Sequence, residues 1–379
     1  MWVCLVGNIG GRIREHAKIS GFVSSPVPFR YTSTESCPSS PCRVTPNRIS
    51  VMAPISTATM GTQNGHGDNG QTRVAPRPGI YVPTVAFFKP NEDVDIEATK
   101  KHAVRLAATG IQGIVTHGSN GEAAHLDHDE RIAITRATRQ ALDENGHEDL
   151  ALIVGCGAQS TRETIKLCRN AATAGGNFAL VLPASYFASL LTPKLLLDHY
   201  RNIADASPIP ILIYNFPAVQ SGIDLNSDQI IELAQHPKIV GVKLTCGNTG
   251  KLARVAAATA DLEFCTMGGS SDFLLQTLIA GGHGVIAGLG NLSPALNVRT
   301  MQLYQQGDVE KAKQMQAVLA RADWIAIKGG FVAVKVGLEK FYGYGGLPRL
   351  PCAMPDKAQR MQVEEGFAEM MEHERSSMS

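Results

Sequence analysis

The chain has 379 residues, 44% of them apolar, 18% charged and 6% aromatic, with 37 glycines and 20 prolines; 35 basic side chains nearly balance 34 acidic ones, for a formal charge of +1. That composition excludes a disordered chain, a collagen and a small disulfide scaffold. It offers no basic footprint for nucleic acid or an anionic membrane, and no run reaches the ~18 to 20 consecutive apolar residues that a bilayer span requires, so the expected partner is a small molecule.

The charge is unevenly spread. Residues 1–78 hold eight basic groups (Arg12, Arg14, Lys18, Arg30, Arg43, Arg48, Arg73, Arg77) against three acidic ones (Glu15, Glu35, Asp68). They are rich in Ser, Thr, Pro and Gly and lack a hydrophobic period, so a disordered basic extension is expected. Its Arg-rich, acid-poor character is that of a transit peptide, although Glu15 and Glu35 dilute it and Met52-Ala-Pro would itself make a start site. A cytoplasmic location is therefore expected, with a mitochondrial one as the alternative if residues 1–51 are translated and direct import. Cys4, Cys37 and Cys42 lie in this extension. Cys156, Cys168, Cys246, Cys265 and Cys352 are scattered without a CxxC pair and read as reduced, buried small hydrophobes.

From residue 79 to 305 short β-branched apolar runs alternate with amphipathic stretches. The runs are Ile80–Phe88, Gly113–His117, Ala151–Gly155, Phe178–Leu182, Ile209–Tyr214, Ile239–Leu244, Leu262–Thr266 and Gly284–Ala287. Near-continuous apolarity predicts strands covered on both faces. Helices are predicted between them, as at Ile96–Ala108, Asp129–Asp143, Thr161–Ala174 and Ser227–Gln235, with Asp127 and Glu130 placed for a capping box. Eight such units predict a (β/α)8 TIM barrel, an α/β fold typically of ~250 residues. The alternative, a doubly wound sheet, usually has a Gly-rich phosphate turn after its first strand, where this chain has Lys89-Pro-Asn-Glu-Asp. Residues 306–379 hold helical patterns only (Asp308–Asp323, Gly330–Phe341, Asp356–His373), predicting a C-terminal helical appendage.

In a barrel the chemistry belongs where strands end. The second strand runs into His117-Gly-Ser-Asn-Gly-Glu122, whose glycines let backbone amides approach a carboxylate or phosphate, or simply form a tight turn. The fifth ends in Tyr214-Asn-Phe-Pro217, with a phenol able to move a proton or to fill space. The sixth carries Lys243 inside an apolar run. Desolvation disfavours an ammonium, and a neutral amine is the nucleophile for Schiff-base formation, with a buried ion pair as the structural alternative. Metal chemistry is the competing hypothesis, because His117, His125 and His128 cluster in sequence. No third ligand of regular spacing follows, and His125, His128 and His283 read as structural.

These residues make the chain resemble the dihydrodipicolinate synthase / N-acetylneuraminate lyase family of pyruvate-dependent class I aldolases, over roughly residues 79–355. The resemblance is carried by Gly118-Ser-Asn-Gly-Glu122, Tyr214-Asn-x-Pro217, Gly241-Val-Lys-Leu-Thr-Cys-Gly-Asn248 and Gly281-Gly-His-Gly-Val-Ile286. It implies that Lys243 forms an imine with a keto acid and that Tyr214 is the acid/base. Ser119 and Asn120 would hold the pyruvyl carboxylate, with the Ser119 hydroxyl relaying protons to Tyr214, and Ile286 would offer its carbonyl nearby. No metal or other cofactor is then expected, because the protonated imine is the electron sink.

Relatives that make dihydrodipicolinate carry an arginine just after the tyrosine motif for a second carboxylate. Here Ala218-Val-Gln-Ser-Gly222 has none. The gap argues against that synthase and against 4-hydroxy-2-oxoglutarate cleavage, whereas Thr245, Gly268 and Ser270 suit a polyol tail. The Lys-Leu-Thr-Cys-Gly-Asn version most resembles the aldolases that split 2-keto-3-deoxy-L-galactonate into pyruvate and L-glyceraldehyde. Tyr186 lies where some relatives lend a tyrosine across a subunit interface, and a homotetramer or homodimer is expected. The alternatives are a 4-hydroxy-2-oxoglutarate aldolase, whose Ser-Asn carboxylate loop matches this one, a dihydrodipicolinate synthase, and a non-catalytic keto-acid-binding barrel.

Overall fold

The computed structural model describes residues 73–378. The expectations for positions 1–72 fall outside the described residues. Arg73 donates to the carbonyls of Ala234, at 3.0 Å, and of Ile239. Residues 73–78, which the sequence reading places in the extension, thus meet the end of the barrel where strands begin.

Eight parallel strands close in chain order, β1 pairing with both β2 and β8. They are β1 (Gly79–Pro83), β2 (Gly113–Thr116), β3 (Ala151–Gly155), β4 (Phe178–Val181), β5 (Ile211–Asn215), β6 (Ile239–Leu244), β7 (Cys265–Gly268) and β8 (Gly284–Ile286). The helices between them are α1 (Ile96–Ala107), α2 (His128–Glu144), α3 (Thr161–Thr173), α4 (Pro193–Ala206), α5 (Ser227–Ala234), α6 (Thr249–Ala258) and α7 (Leu274–Ile279). After β8 come α8 (Pro294–Gln305), α9 (Val309–Tyr342) and α10 (Lys357–Met378). The fold is the expected (β/α)8 barrel with helices appended, and the doubly wound alternative falls.

Two apolar layers explain the unbroken hydrophobic runs. Val115, Ile153, Leu180, Leu212 and Met267 fill the barrel, while Ile114, Leu152, Ile213 and Val242 pack beneath the helices. With both faces dry, a strand has no polar side to alternate with.

Local signals set the helix starts. Asp127 accepts from the Glu130 amide at 2.9 Å and the Glu130 carboxylate accepts from the Asp127 amide at 2.9 Å, the expected capping box. Elsewhere the sequence misplaces edges. The first strand ends at Pro83 rather than Phe88, because Val85–Phe88, though buried, pair with no strand beyond the Phe88–Val94 bridge. The seventh starts at Cys265 rather than Leu262, since the Leu262 and Phe264 amides are spent in turns to Thr259 and Leu262. The two helices expected at 308–323 and 330–341 form one 34-residue element broken at Gly330 (φ 60°, ψ −156°), a conformation open to glycine. In α10, the buried Glu374 carboxylate accepts from the Ala295 and Leu296 amides (3.1 and 2.7 Å), capping α8 across the fold.

Candidate active site

The site depends on an irregularity in β6. Ile211 pairs with Ile239, but Leu212 pairs with Gly241, so Val240 is an extra residue. A one-residue bulge reverses which later side chains face inward. Val240 and Lys243, three positions apart, therefore both turn into the barrel, and Lys243 comes level with Tyr214. Gly241 between them has no room for a side chain, as a Cβ there would lie 2.6 Å from the Cys265 carbonyl oxygen.

Lys243 is 4% exposed. Its Nζ lies 3.2 Å from the Tyr214 hydroxyl and 4.2 Å from the centre of the Tyr214 ring. That ring stacks on Phe216 with centroids 5.8 Å apart. Asn215 faces the other way and acts as a brace, donating to Asp224 at 2.7 Å and accepting from the Leu225 amide at 2.9 Å. The arrangement brings a nucleophilic amine and a proton-moving phenol to one point, within reach of each other and shielded from bulk water.

The other expected residues lie on β8, at the end of β7 and in the loops after β2, β4, β6 and β7. Ser119 is exposed on the loop after β2, and among the described residues its hydroxyl has no hydrogen-bond partner, Tyr214 included. Asn120 beside it packs against the loop after β8, where a Cβ on Gly288 would lie 2.2 Å from its Nδ2. Ile286 is fully buried inside the barrel. Thr245 Oγ1 is buried and has no partner among the described residues, and a Cβ on Gly269 would lie 2.0 Å from it. Gly268 is a packing glycine wedged against Thr277 and Phe273. The Ser270 hydroxyl is already engaged, donating to Asp323 at 2.5 Å. Tyr186, in the loop after β4, is 78% exposed and meets Phe187 edge-on.

The loop after β2 is held from behind. Glu122, left-handed at φ 50°, turns away from the mouth to a fully buried ion pair with Lys335 of α9 at 2.6 Å, and accepts from the Arg349 amide at 3.0 Å. His125 pairs with Glu122 and His128 with Glu163. Burial, helped by Arg131, pushes His117 down to about 3; the neutral ring sits 2.9 Å from the Arg131 carbonyl, which its Nε2–H suits as donor. His283 accepts from the Thr266 amide at 3.0 Å. His125, His128 and His283, expected to be structural, thus each have a protein partner, and His117 does as well. Among the described residues, no group of three or more His, Cys, Asp or Glu side chains is placed to hold a metal ion.

Sequence reasoning missed Gln316 and Asp323. Both are buried polar groups on α9, and both bond to the loop after β7. Their spacing of seven, which keeps them on one otherwise apolar helix face, was the available signal.

An amine and a phenol apposed inside the mouth of a closed barrel are the apparatus of a carbon–carbon lyase working through a lysine Schiff base. Residues 77–369 match the model of the Dihydrodipicolinate synthetase family, and the chain belongs to that family. It is 58% identical over 298 residues (79% of this chain, 96% of the relative) to an Emericella nidulans protein named "Probable 4-hydroxy-2-oxoglutarate aldolase, mitochondrial". To the L-threo-3-deoxy-hexylosonate aldolase of Hypocrea jecorina it is 47% identical over 306 residues (79% and 97% of the two chains). A crystal structure of a Coccidioides immitis protein described as of the dihydrodipicolinate synthase family superposes with a TM-score of 0.72 at 33% identity, over 80% of this chain and 98% of that one. The protein is thus an aldolase of the Schiff-base class.

Proposed function

We propose that the protein cleaves 2-keto-3-deoxy-L-galactonate to pyruvate and L-glyceraldehyde through an imine on Lys243. One observation carries the substrate choice: the eight loops that follow the strands contain a single basic residue of the Lys/Arg type, Lys89, and no arginine. The nearby cation of α6, Lys251, is paired with Asp224, and Arg131 donates to the Gly155 carbonyl. Within these loops a second substrate carboxylate would find no guanidinium, whereas hydroxyls would find Thr245 Oγ1.

In the proposed reaction the Lys243 amine attacks the C2 ketone, and loss of water leaves a protonated imine. Tyr214 gives its proton to the departing water, which leaves the imine charged, and then takes the C4 hydroxyl proton; the C3–C4 bond breaks, the aldehyde leaves, and the bonding pair is held as an enamine. Tyr214 passes that proton to C3, and attack of water on the imine, returning a proton to Tyr214, releases pyruvate and the free amine. Ser119 and Asn120 hold the pyruvyl carboxylate, Ile286 borders it, and no metal or other cofactor takes part. The apolar cluster of Tyr186, Phe187 and Leu190, each more than 60% exposed, is proposed to pack on a second copy of this chain.

The relative of Emericella favours a second reading, 4-hydroxy-2-oxoglutarate cleavage, and its name supports the mitochondrial alternative for location. A cleavage assay with both substrates, and a condensation assay with aspartate semialdehyde, tests the assignment. Faster turnover of the sugar acid supports it; equal or faster turnover of either alternative overturns it. Imaging of residues 1–72 fused to a fluorescent protein tests the location.

A further inference from the structure

Two polar side chains of α9 are buried against the loop that follows β7. Gln316 donates to the Ser271 carbonyl at 2.9 Å and accepts from the Leu275 amide at 2.7 Å. Asp323, two turns on and 3% exposed, accepts from the Ser270 hydroxyl at 2.5 Å and from the Asp272 amide at 2.9 Å. The gripped loop touches the end of the strand that carries the lysine: Gly269 packs on Thr245, two residues from Lys243.

The chemistry of this contact is directional. A hydroxyl has one hydrogen to give and two lone pairs. An ionised carboxylate can only accept, so it takes that single hydrogen and leaves Ser270 with lone pairs alone. The Ser270 hydroxyl and the Asp272 amide both donate to the same Asp323 oxygen, which therefore serves as an acceptor, while burial, with Asp272 adding to it, pushes the carboxyl up to about 6.

We propose that Asp323 is a positioning residue that fixes Ser270 as a hydrogen-bond acceptor and thereby makes the aldehyde end of the site select a hydroxyl over a carboxylate. A substrate hydroxyl can donate to Ser270. A substrate carboxylate, itself only an acceptor, meets lone pairs and the negative field of Asp323. The inference rests on the sugar-acid reading above and adds to it a source of discrimination outside the barrel loops.

The test compares wild type, Asp323→Asn and Ser270→Ala in cleavage of 2-keto-3-deoxy-L-galactonate and of 4-hydroxy-2-oxoglutarate, with borohydride trapping of the pyruvate imine run alongside. The asparagine keeps the shape, and with its oxygen toward Ser270 and the Asp272 amide it keeps the acceptor those two share, so it removes the charge alone; Ser270→Ala removes the acceptor offered to substrate. The expected result is a ratio of kcat/KM, sugar acid over dicarboxylate, that falls about tenfold in both variants, through tighter use of the dicarboxylate in Asp323→Asn and through a higher KM for the sugar acid in Ser270→Ala, with trapping unchanged. Equal losses on both substrates would make Asp323 a purely structural group and overturn the proposal. If Asp323→Asn does not fold, Ser270→Ala, which leaves the buried carboxylate in place, decides by the same ratio. Failure of the underlying reading looks different: wild type itself would trap no pyruvate or would show no preference for the sugar acid.

Discussion

Lys243 and Tyr214 are register partners on β6 and β5, and they meet inside the barrel because Val240 is an extra residue upstream. With Lys243 Nζ 3.2 Å from the phenol, a shift of one residue would send the amine beneath the helices instead. Gly241 is where this arrangement is most sensitive, its absent Cβ pressed against the Cys265 carbonyl and Leu212. Gly241→Ala is expected to cost about 1 to 3 kcal/mol in urea denaturation, as overpacking does, and to slow imine formation with pyruvate. An unchanged denaturation midpoint together with unchanged trapping would show that the bulge tolerates a side chain.

The buried Glu122–Lys335 pair ties the loop carrying Ser119 and Asn120 to α9. Breaking it from one side leaves an uncompensated buried charge, so Lys335→Met should destabilise by about 3 to 5 kcal/mol and raise KM for pyruvate in condensation. Adding Glu122→Gln should recover part of the stability, because both charges are then gone. A double variant less stable than Lys335→Met would refute this account of the pair.

Glu374 gives a pH dependence of definite sign. Burial raises its carboxyl from 4.5 to about 7, against the opposing effect of the two α8 amides it accepts from. The folded state therefore binds this proton more tightly than the unfolded one, and the associated stability is complete below about pH 4.5 and lost as pH rises toward 7. His102 and His117, buried and pushed down to about 3, act in the opposite sense, losing stability as pH falls below 6.5. Wild type minus Glu374→Gln isolates the carboxyl: that difference in unfolding free energy should fall by a few kcal/mol between pH 4.5 and 8. A flat difference would contradict it.

Tyr186 and Phe187 stand 78% and 61% exposed. Replacing both with serine should lower the mass measured by light scattering in the micromolar range without lowering the urea midpoint of the dissociated chain. A wild-type mass equal to one chain would end the proposal of a second copy at this face.

The sequence revealed strand order and the lysine and tyrosine at strand ends, because a doubly covered barrel writes its strands as apolar runs and a lysine inside such a run stands out. It hid what depends on register. Nothing in Ile239-Val-Gly-Val-Lys-Leu244 shows that Val240 is unpaired, so the facing of Lys243 came from motif resemblance rather than from periodicity. Glu122 looked like part of the anion loop and proved to be its rear anchor, since its partner Lys335 lies more than two hundred positions away. The Ser270 hydroxyl looked free to donate to substrate for the same reason: Asp323, which takes its hydrogen, is distant in sequence, and only the packing of α9 joins them.

Borohydride reduction of the protein in the presence of pyruvate, followed by peptide mass mapping, bears most directly on the central claim. The account predicts one covalent adduct, on Lys243, absent from Lys243→Met and still formed by Tyr214→Phe, whose cleavage activity should be about a hundredfold or more lower. No adduct, or an adduct confined to a lysine other than Lys243, would contradict it.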